Sequence, residues 1–485
     1  MPKHEYKDTF AASPDIETSR LVQVLALISG WCRLAFDISV AYLQSAADST
    51  FEVPVMYPKG YEMTGDDGES LLAVLQKPLY GHPEAARAWS DTRNAWMAEK
   101  FNQDGWTAKQ SDVDVALWIV TAPVTGNMIL MVIYTDDCDC VGPETSELEQ
   151  IKEAFHDRFG VTDADPAFML GVKREITVED DGTRVLTYSM AKFIESTYEK
   201  FQGDMGGIIL ADTPLPHGTL IGAQQPDHVP DEAEQARYRK KGYLSIVGGL
   251  LWAARQCHPE IMGHVAMLCS VMACPSASAY NAALTVLKWL YHHRHEGMRY
   301  RSDGNIEPVM YYDSGHNQFA DGRAMYMYEL MIAGGPIAVK AKKHERVRDS
   351  TAYSEYAAQH EAGICIEWCR NIIKQIGTPF THLIAKPTLL LGDNDIATNT
   401  AKGTVSSKRT KHWDLYLHMN KQRVRDGTTE PDRVPSPDNN SDVGTKCQND
   451  PDYLRLTPRL KGYAESYIPP EYNLLMGPLT DHAFG

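Results

Sequence analysis

The chain has 485 residues, 43% of them hydrophobic and 23% charged, with a formal net charge of -17. That length implies about two to four domains, no run approaches the ~18 apolar residues of a membrane span, and the charged start "MPKHEYKDTF" lacks the apolar core of a secretory signal. Nine scattered cysteines give no disulfide framework and point to a reducing intracellular compartment, while the acidic balance confines any nucleic-acid contact to a locally basic groove.

In chain order, "CRLAFDISVAYL" alternates Leu34, Phe36 and Ile38 and reads as a half-buried strand. "PEAARAWSDTRNAWMAEKF" is a helix starting after Pro83. "GNMILMVIYTDDCDCVG" is a hairpin with Asp136 and Asp137 at its tip, and "TSELEQIKEAFHDRFG" is an amphipathic helix closed by Gly160. These fall in a first block, residues 1–176. A helix-rich block, 177–297, carries "ARYRKKGYLSIVGGLLWAARQC" and "SASAYNAALTVLKWLYHHR".

A third block, 298–425, opens with the strands "EPVMYYDS" and "YMYELMIAGGPIAVKAKK". "TAYSEYAAQHEAGICIEWCRNIIKQIG" follows as a helix stopped by Gly377, with Ile364, Cys365, Trp368 and Ile372 on one face. "KPTLLLGDN" is a strand, "DIATNTAKG" a short helix and "RTKHWDLYLHMNKQRV" a longer one. Residues 426–485 are Pro-, Asp- and Asn-rich and read as a disordered or loosely packed acidic tail.

Two sets of carboxylates lie at element edges. Adjacent like charges repel unless a cation sits beside them. Asp37 ends a strand, and Asp136 and Asp137 cap the hairpin; three such groups could hold two hard cations ~3.5–4 Å apart for phosphoryl transfer. An Asp-rich turn is the plainer reading of the same residues. Farther on, Asp313 and Asp393 end strands, Glu355 sits early in a helix, and Asp414 opens another. Four acids among 64 carry little by themselves. The cysteine pairs Cys138/Cys140 and Cys365/Cys369 lack further zinc ligands nearby, and His292, His293 and His295 read as a solvated helix end.

The words around these carboxylates narrow the choice. "FDISVAYL", "LQKPLYGHPEAARAW", "YTDD" and "FMLGVKREI" resemble, in order, the reverse transcriptase of copia-type LTR retrotransposons. "MYYDSGH", "GGPIAVKAKK", "STAYSEYAA", "GDNDIA" and "SSKRTKHWDLYLH" resemble the RNase H motifs of the same family. The resemblance implies a polymerase palm with partial fingers and a helical thumb, then an RNase H-like mixed sheet with helices, an α+β and α/β multidomain chain. It implies that Asp37, Asp136 and Asp137 hold two magnesium ions at one site. Asp313, Glu355, Asp393 and Asp414 would hold two more at a second, with manganese as a substitute.

By the same resemblance Tyr42 packs under the incoming sugar, and Glu84 and Arg87 lie near the nucleotide. Lys408, Arg409, Lys411 and His412 would contact nucleic acid. The partners implied are an RNA template, a DNA primer, deoxynucleoside triphosphates and an RNA–DNA hybrid, with no membrane. The implied location is cytoplasmic, with virus-like particles and the nucleus left open.

Three departures bear on activity. The family's basic fingers segment is expected before "YKDTF", where this sequence has already begun. Glu84 replaces a glutamine near the triphosphate, and His316 stands where a tryptophan is usual. The expectation is weak polymerisation beside competent hybrid cleavage. The alternative is a retrotransposon-derived relic that only binds nucleic acid or serves a structural role.

Overall fold

The structure is a computed structural model that describes residues 9–45, 53–219, 221, 230–319, 321–404, 414–472 and 474–477, the side chains of 414, 415 and 417 excepted. It forms two compact units, one of Met1–Val22 and Trp31–Pro166, the other of Gln23–Gly30 and Ala167–Gly485.

The first unit is built on a six-stranded sheet. Its spatial order is Thr107–Gln110, Leu117–Thr121, Met128–Tyr134, Asp137–Gly142, Cys32–Ile38 and Val161–Ala164. All its pairings are antiparallel. Alternation sends Leu34, Phe36 and Ile38 into one core, joined by Ile133, Cys138 and Cys140. Helices Ala85–Lys100 and Thr145–Phe159 bury Trp89, Met97, Leu148 and Phe155 in that core. Asp37 therefore falls on the sheet's other face, at the end of its strand. The strand, the hairpin and both helices match the sequence reading.

The second unit contains a four-stranded antiparallel sheet, ordered Arg299–Arg301, Arg184–Ser189, Val172–Val178 and Phe168–Met169. This corrects the expected break at residue 176. Val172–Val178 pairs along its whole length with Arg184–Ser189, so hydrogen bonding carries it into the following block. Helices Ala191–Phe201, Glu232–Lys240, Tyr243–Gln256, Met262–Cys269 and Ala277–His292 make the block helix-rich, as expected.

The same unit holds a five-stranded mixed sheet, ordered Gly335–Lys343, Met325–Ile332, Val309–Ser314, Thr388–Gly392 and Thr429–Arg433. The first three strands are antiparallel. The last two join in parallel, which requires crossovers, and helices Thr351–Ile376, Asp395–Ala401 and Asp414–Arg425 supply them. The long helix buries Cys365, Ile366, Cys369, Ile372, Ile373 and Ile376. Ile364, expected in that stripe, is instead exposed, because the buried face is centred on the 365/369/372/376 row.

The C-terminal segment is the main correction. The described residues from 426 to 477 are not a loose tail. Thr429–Arg433 is the fifth strand of the mixed sheet. Asn440–Gly444 forms a buried 3-10 turn, and Asp450–Leu460 is a helix capped by Asn449. Val434, Tyr467, Ile468, Tyr472 and Leu474 cover Val309, Tyr311, Met331 and Leu391. Among the described residues no helix is long and apolar enough to cross a membrane.

Candidate active site

The tightest acidic constellation lies at one end of the mixed sheet. Val309, Met310 and Tyr311 stand opposite Leu389, Leu390 and Leu391 in parallel register. Continuing that offset two positions brings Asp313 beside Asp393. Gly392 lets the strand pass Tyr312, whose ring lies 2.3 Å from where a Cβ would be. Asn394 then caps helix Asp395–Ala401, accepting from Ile396 N–H at 3.0 Å and Ala397 N–H at 3.1 Å, which turns the chain sharply after Asp393. Glu355 comes from the long helix, whose N-terminus is capped by Ser350.

Asp313, Glu355 and Asp393 each offer an oxygen, and these oxygens all lie within 4.8 Å of one another. Asp313 is 6% exposed and Glu355 3%. Burial, then Asp442 and Asp393, push the Asp313 carboxyl up to about 8. Burial, then Asp313 and Asp393, hold Glu355 well above the usual carboxylate range. Glu355 Oε1 accepts from Ser314 N–H at 3.3 Å, while its Oε2 is buried without a hydrogen-bond partner among the described residues. Crowded, desolvated carboxylates with an unclaimed oxygen are what a hard cation would relieve.

The C-terminal turn completes the surroundings. Thr445 Oγ1 donates to Asp313 Oδ2 at 2.7 Å. Asp442 raises both Asp313 and Glu355 electrostatically. Lys446 Nζ lies 2.8 Å from Asp442 Oδ1. Behind Asp313, Ser314 Oγ and His344 Nε2 are 2.9 Å apart, and burial lowers the imidazole to about 4, so His344 is neutral.

Three of the four acids expected here are thus brought together. Asp414 begins helix Asp414–Arg425, but its side chain, like Lys408, Arg409, Lys411 and His412, lies outside the described residues. The fourth acid acting on Asp313 and Glu355 is Asp442, which sequence reasoning missed within a stretch read as tail. Its signal was "NNSDVGTK", where asparagines and a serine too small and polar for a core cluster around one aspartate. His316 is exposed at the start of the loop after Asp313.

In the first unit Asp37 stands directly opposite Asp137. Residues paired across strands share a face, so the two carboxylates lie side by side. Ile38 N–H donates to Asp136 O at 2.9 Å, which ties the hairpin tip to the neighbouring strand. Burial, then Asp136, raises Asp37; burial, then Asp136 and Asp37, raises Asp137. The tip is held at Thr135, which adopts φ +48°, an unusual value for a β-branched residue. Trp89 Nε1 and Arg93 Nη1 both donate to its carbonyl, at 2.6 and 3.2 Å. Trp89 is therefore core and scaffold together. Arg93, which sequence reading passed over, is its partner, with burial lowering its guanidinium to about 10.

Tyr42 lies on the 3-10 turn Ala41–Gln44, its ring 4.5 Å from Tyr80. Burial, then Asp136, Tyr42 and Asp37, raises the Tyr80 phenol, which places both rings by the acidic trio. Glu84 caps helix Ala85–Lys100 without a side-chain bond to it. Arg87 is paired with Asp91 at 2.8 Å.

Residues 1–214 match the family model described as reverse transcriptase (RNA-dependent DNA polymerase). A retrovirus-related Pol polyprotein from transposon TNT 1-94 of Nicotiana tabacum is 25% identical over 443 residues, covering 90% of this chain and 30% of that protein. The corresponding polyprotein from transposon RE2 of Arabidopsis thaliana is 23% identical over 451 residues, covering 92% and 28%. The chain therefore spans about 30% of the length of these relatives. Among solved structures, RNase H1 from the halophilic archaeon Halobacterium salinarum shares 18% identity and a TM-score of 0.20, covering 28% of this chain and 90% of its own. With the ordered motifs of both halves, the family model and the two polyproteins make this chain similar to the reverse transcriptase–RNase H region of copia-type retrotransposon Pol polyproteins.

Proposed function

We propose that this chain cleaves the RNA strand of RNA–DNA hybrids at the Asp313–Glu355–Asp393 site, using magnesium or manganese. The observation that supports the reading most is the gathering of these three buried carboxylates, with oxygens within 4.8 Å of one another, at the ends of adjacent parallel strands and one helix. When bound, such a divalent ion would acidify a water and neutralise charge on the phosphodiester. The chain's own residues set the stage for it. Asp313 is fixed by the Thr445 hydroxyl, and Glu355 is oriented by the Ser314 amide while leaving Oε2 open. Asp442 adds negative charge. Lys446, held at Asp442, offers the ammonium nearest in kind to what a phosphate oxygen seeks. Lys408, Arg409 and Lys411 are proposed to cradle the hybrid backbone.

A second activity is proposed at Asp37, Asp136 and Asp137, where the cross-strand pair favours magnesium-dependent nucleotide addition to a DNA primer on an RNA template. Tyr42 would lie under the sugar of the incoming deoxynucleoside triphosphate. Glu84 places a repulsive charge near that triphosphate, so this activity is weak. The test is a labelled RNA–DNA hybrid incubated with the full chain and magnesium, beside primer extension on the same preparation. Hybrid cleavage that Asp393→Asn abolishes supports the reading. A folded protein that leaves hybrids intact in magnesium and in manganese sinks it in favour of the relic.

A further inference from the structure

Glu329 sits in the middle of the mixed sheet, opposite Tyr311 on one side and Val339 on the other, and is 0% exposed. Opposed and alternate residues share a face, so Glu329, Tyr311 and Asp313 all point to the same side. That side is covered by the turn Asn440–Gly444. Gly444 lies so close that a Cβ there would sit 1.9 Å from Met327 Sδ, and Asn439 Nδ2 donates to Tyr312 O at 3.0 Å. Neither oxygen of Glu329 has a hydrogen-bond partner among the described residues, and neither has Asn440 Oδ1, itself fully buried. Among the described residues no cation is paired with the carboxyl.

We propose that Glu329 is a positioning residue for the acidic site: its side chain, paired with Asn440, clamps the turn that presents Asp442 and Thr445 to Asp313. The inference rests on the hybrid-cleavage reading for its purpose but not for its test. A protonated carboxyl complements an amide oxygen, with the Glu329 O–H donating to Asn440 Oδ1, while Asn440 Nδ2 donates to Ser466 Oγ at 2.8 Å. That bond satisfies the Asn440 oxygen, which an ionised carboxylate would leave stranded. Burial pushes Glu329 up to about 8, with the Asn440 carboxamide offsetting part of the rise. Tyr311 faces it across the ladder; Asp313 lies farther along that strand, Lys343 on the same face of the neighbouring strand and Asp442 on the covering turn, while Arg459 acts on Tyr311.

The experiment compares the full chain with Glu329→Gln, which keeps the shape and hydrogen bonds but cannot ionise, and with Asn440→Leu. Melting temperature is measured from pH 6 to 9.5, with and without magnesium chloride. Because the folded state holds this proton more tightly than the unfolded state, ionisation costs the wild type progressively as pH rises toward 8. Glu329→Gln should therefore gain melting temperature over the wild type as pH rises, and should keep its magnesium-induced increase above pH 8 where the wild type's shrinks. Asn440→Leu should lower melting temperature and reduce the magnesium increase at every pH. Parallel curves for wild type and Glu329→Gln across the range overturn the clamp. A pH-dependent difference with no magnesium effect in any protein supports the pairing and overturns the cleavage reading instead.

Discussion

Asp313 and Glu355 carry the sharpest electrostatic signature in the molecule. Both are raised by burial and by the neighbouring Asp393 and Asp442. A carboxyl with a raised folded-state value keeps its proton in the fold after the unfolded chain has released it. Stability is then lost as pH rises from the ordinary carboxyl range, near 4, toward the folded value of about 8 for Asp313. The metal-free protein should melt at falling temperatures over that window. Magnesium should restore more at pH 8 than at pH 6, because binding must displace those protons. A melting temperature that magnesium raises equally at both pH values would contradict this. Glu355→Gln should remove measurable cleavage, since it takes away the charge at the open oxygen. Thr445→Val deletes the one side-chain donor to Asp313 Oδ2 shown at the site. It should cost about 1–3 kcal/mol of stability and slow cleavage about 10–100-fold, which chemical denaturation and initial rates would read.

At the scale of elements, the hairpin tip shows how a local rule is overridden. Thr135 at φ +48° is costly for a β-branched residue, and Trp89 and Arg93 hold it by bonding its carbonyl. Trp89→Phe keeps most of the apolar bulk but removes the N–H. It should destabilise the protein by about 1–2 kcal/mol and depress primer extension without touching hybrid cleavage. Equal loss of both activities would mean global unfolding rather than a displaced tip.

Elements also mark what the sequence made legible. Asp37, Asp136, Asp313 and Asp393 end strands whose apolar runs are strong, so their places could be read. Glu355 stands behind a capped helix start. Asp442 escapes periodicity and is marked only by its polar neighbours, because "TEPDR" before it has neither alternation nor a hydrophobic run and becomes a strand only by parallel pairing with Thr388–Gly392. The turn after it is buried through asparagine and serine side chains, whose tertiary hydrogen bonds leave no periodic trace. Likewise the break at residue 176 failed because strand pairing with Arg184–Ser189, not composition, decides where Val172–Val178 belongs.

For the whole molecule, the two constellations fall in different compact units. The two proposed activities should therefore separate by mutation: Asp137→Asn should abolish primer extension and leave hybrid cleavage, and Asp393→Asn should do the reverse. Glu84→Gln, by removing one negative charge near the proposed triphosphate site, should improve primer extension a few-fold, on the order of 1 kcal/mol or less for a half-exposed charge. A large gain would mean that this one departure, rather than the triphosphate grip as a whole, limits polymerisation. The net charge of -17 makes binding to a hybrid depend on local basic residues. Lys408, Arg409 and Lys411 changed together to alanine should weaken hybrid binding and flatten its salt dependence.

The most direct measurement is cleavage of a 5'-labelled RNA strand in an RNA–DNA hybrid by the purified full chain, across magnesium concentrations, beside the Asp393→Asn variant. The assignment of Asp313, Glu355 and Asp393 as the working site predicts magnesium-dependent shortening of the RNA, DNA left whole, and no shortening with the variant. Intact RNA with the folded wild type, or cleavage that survives Asp393→Asn, would contradict it.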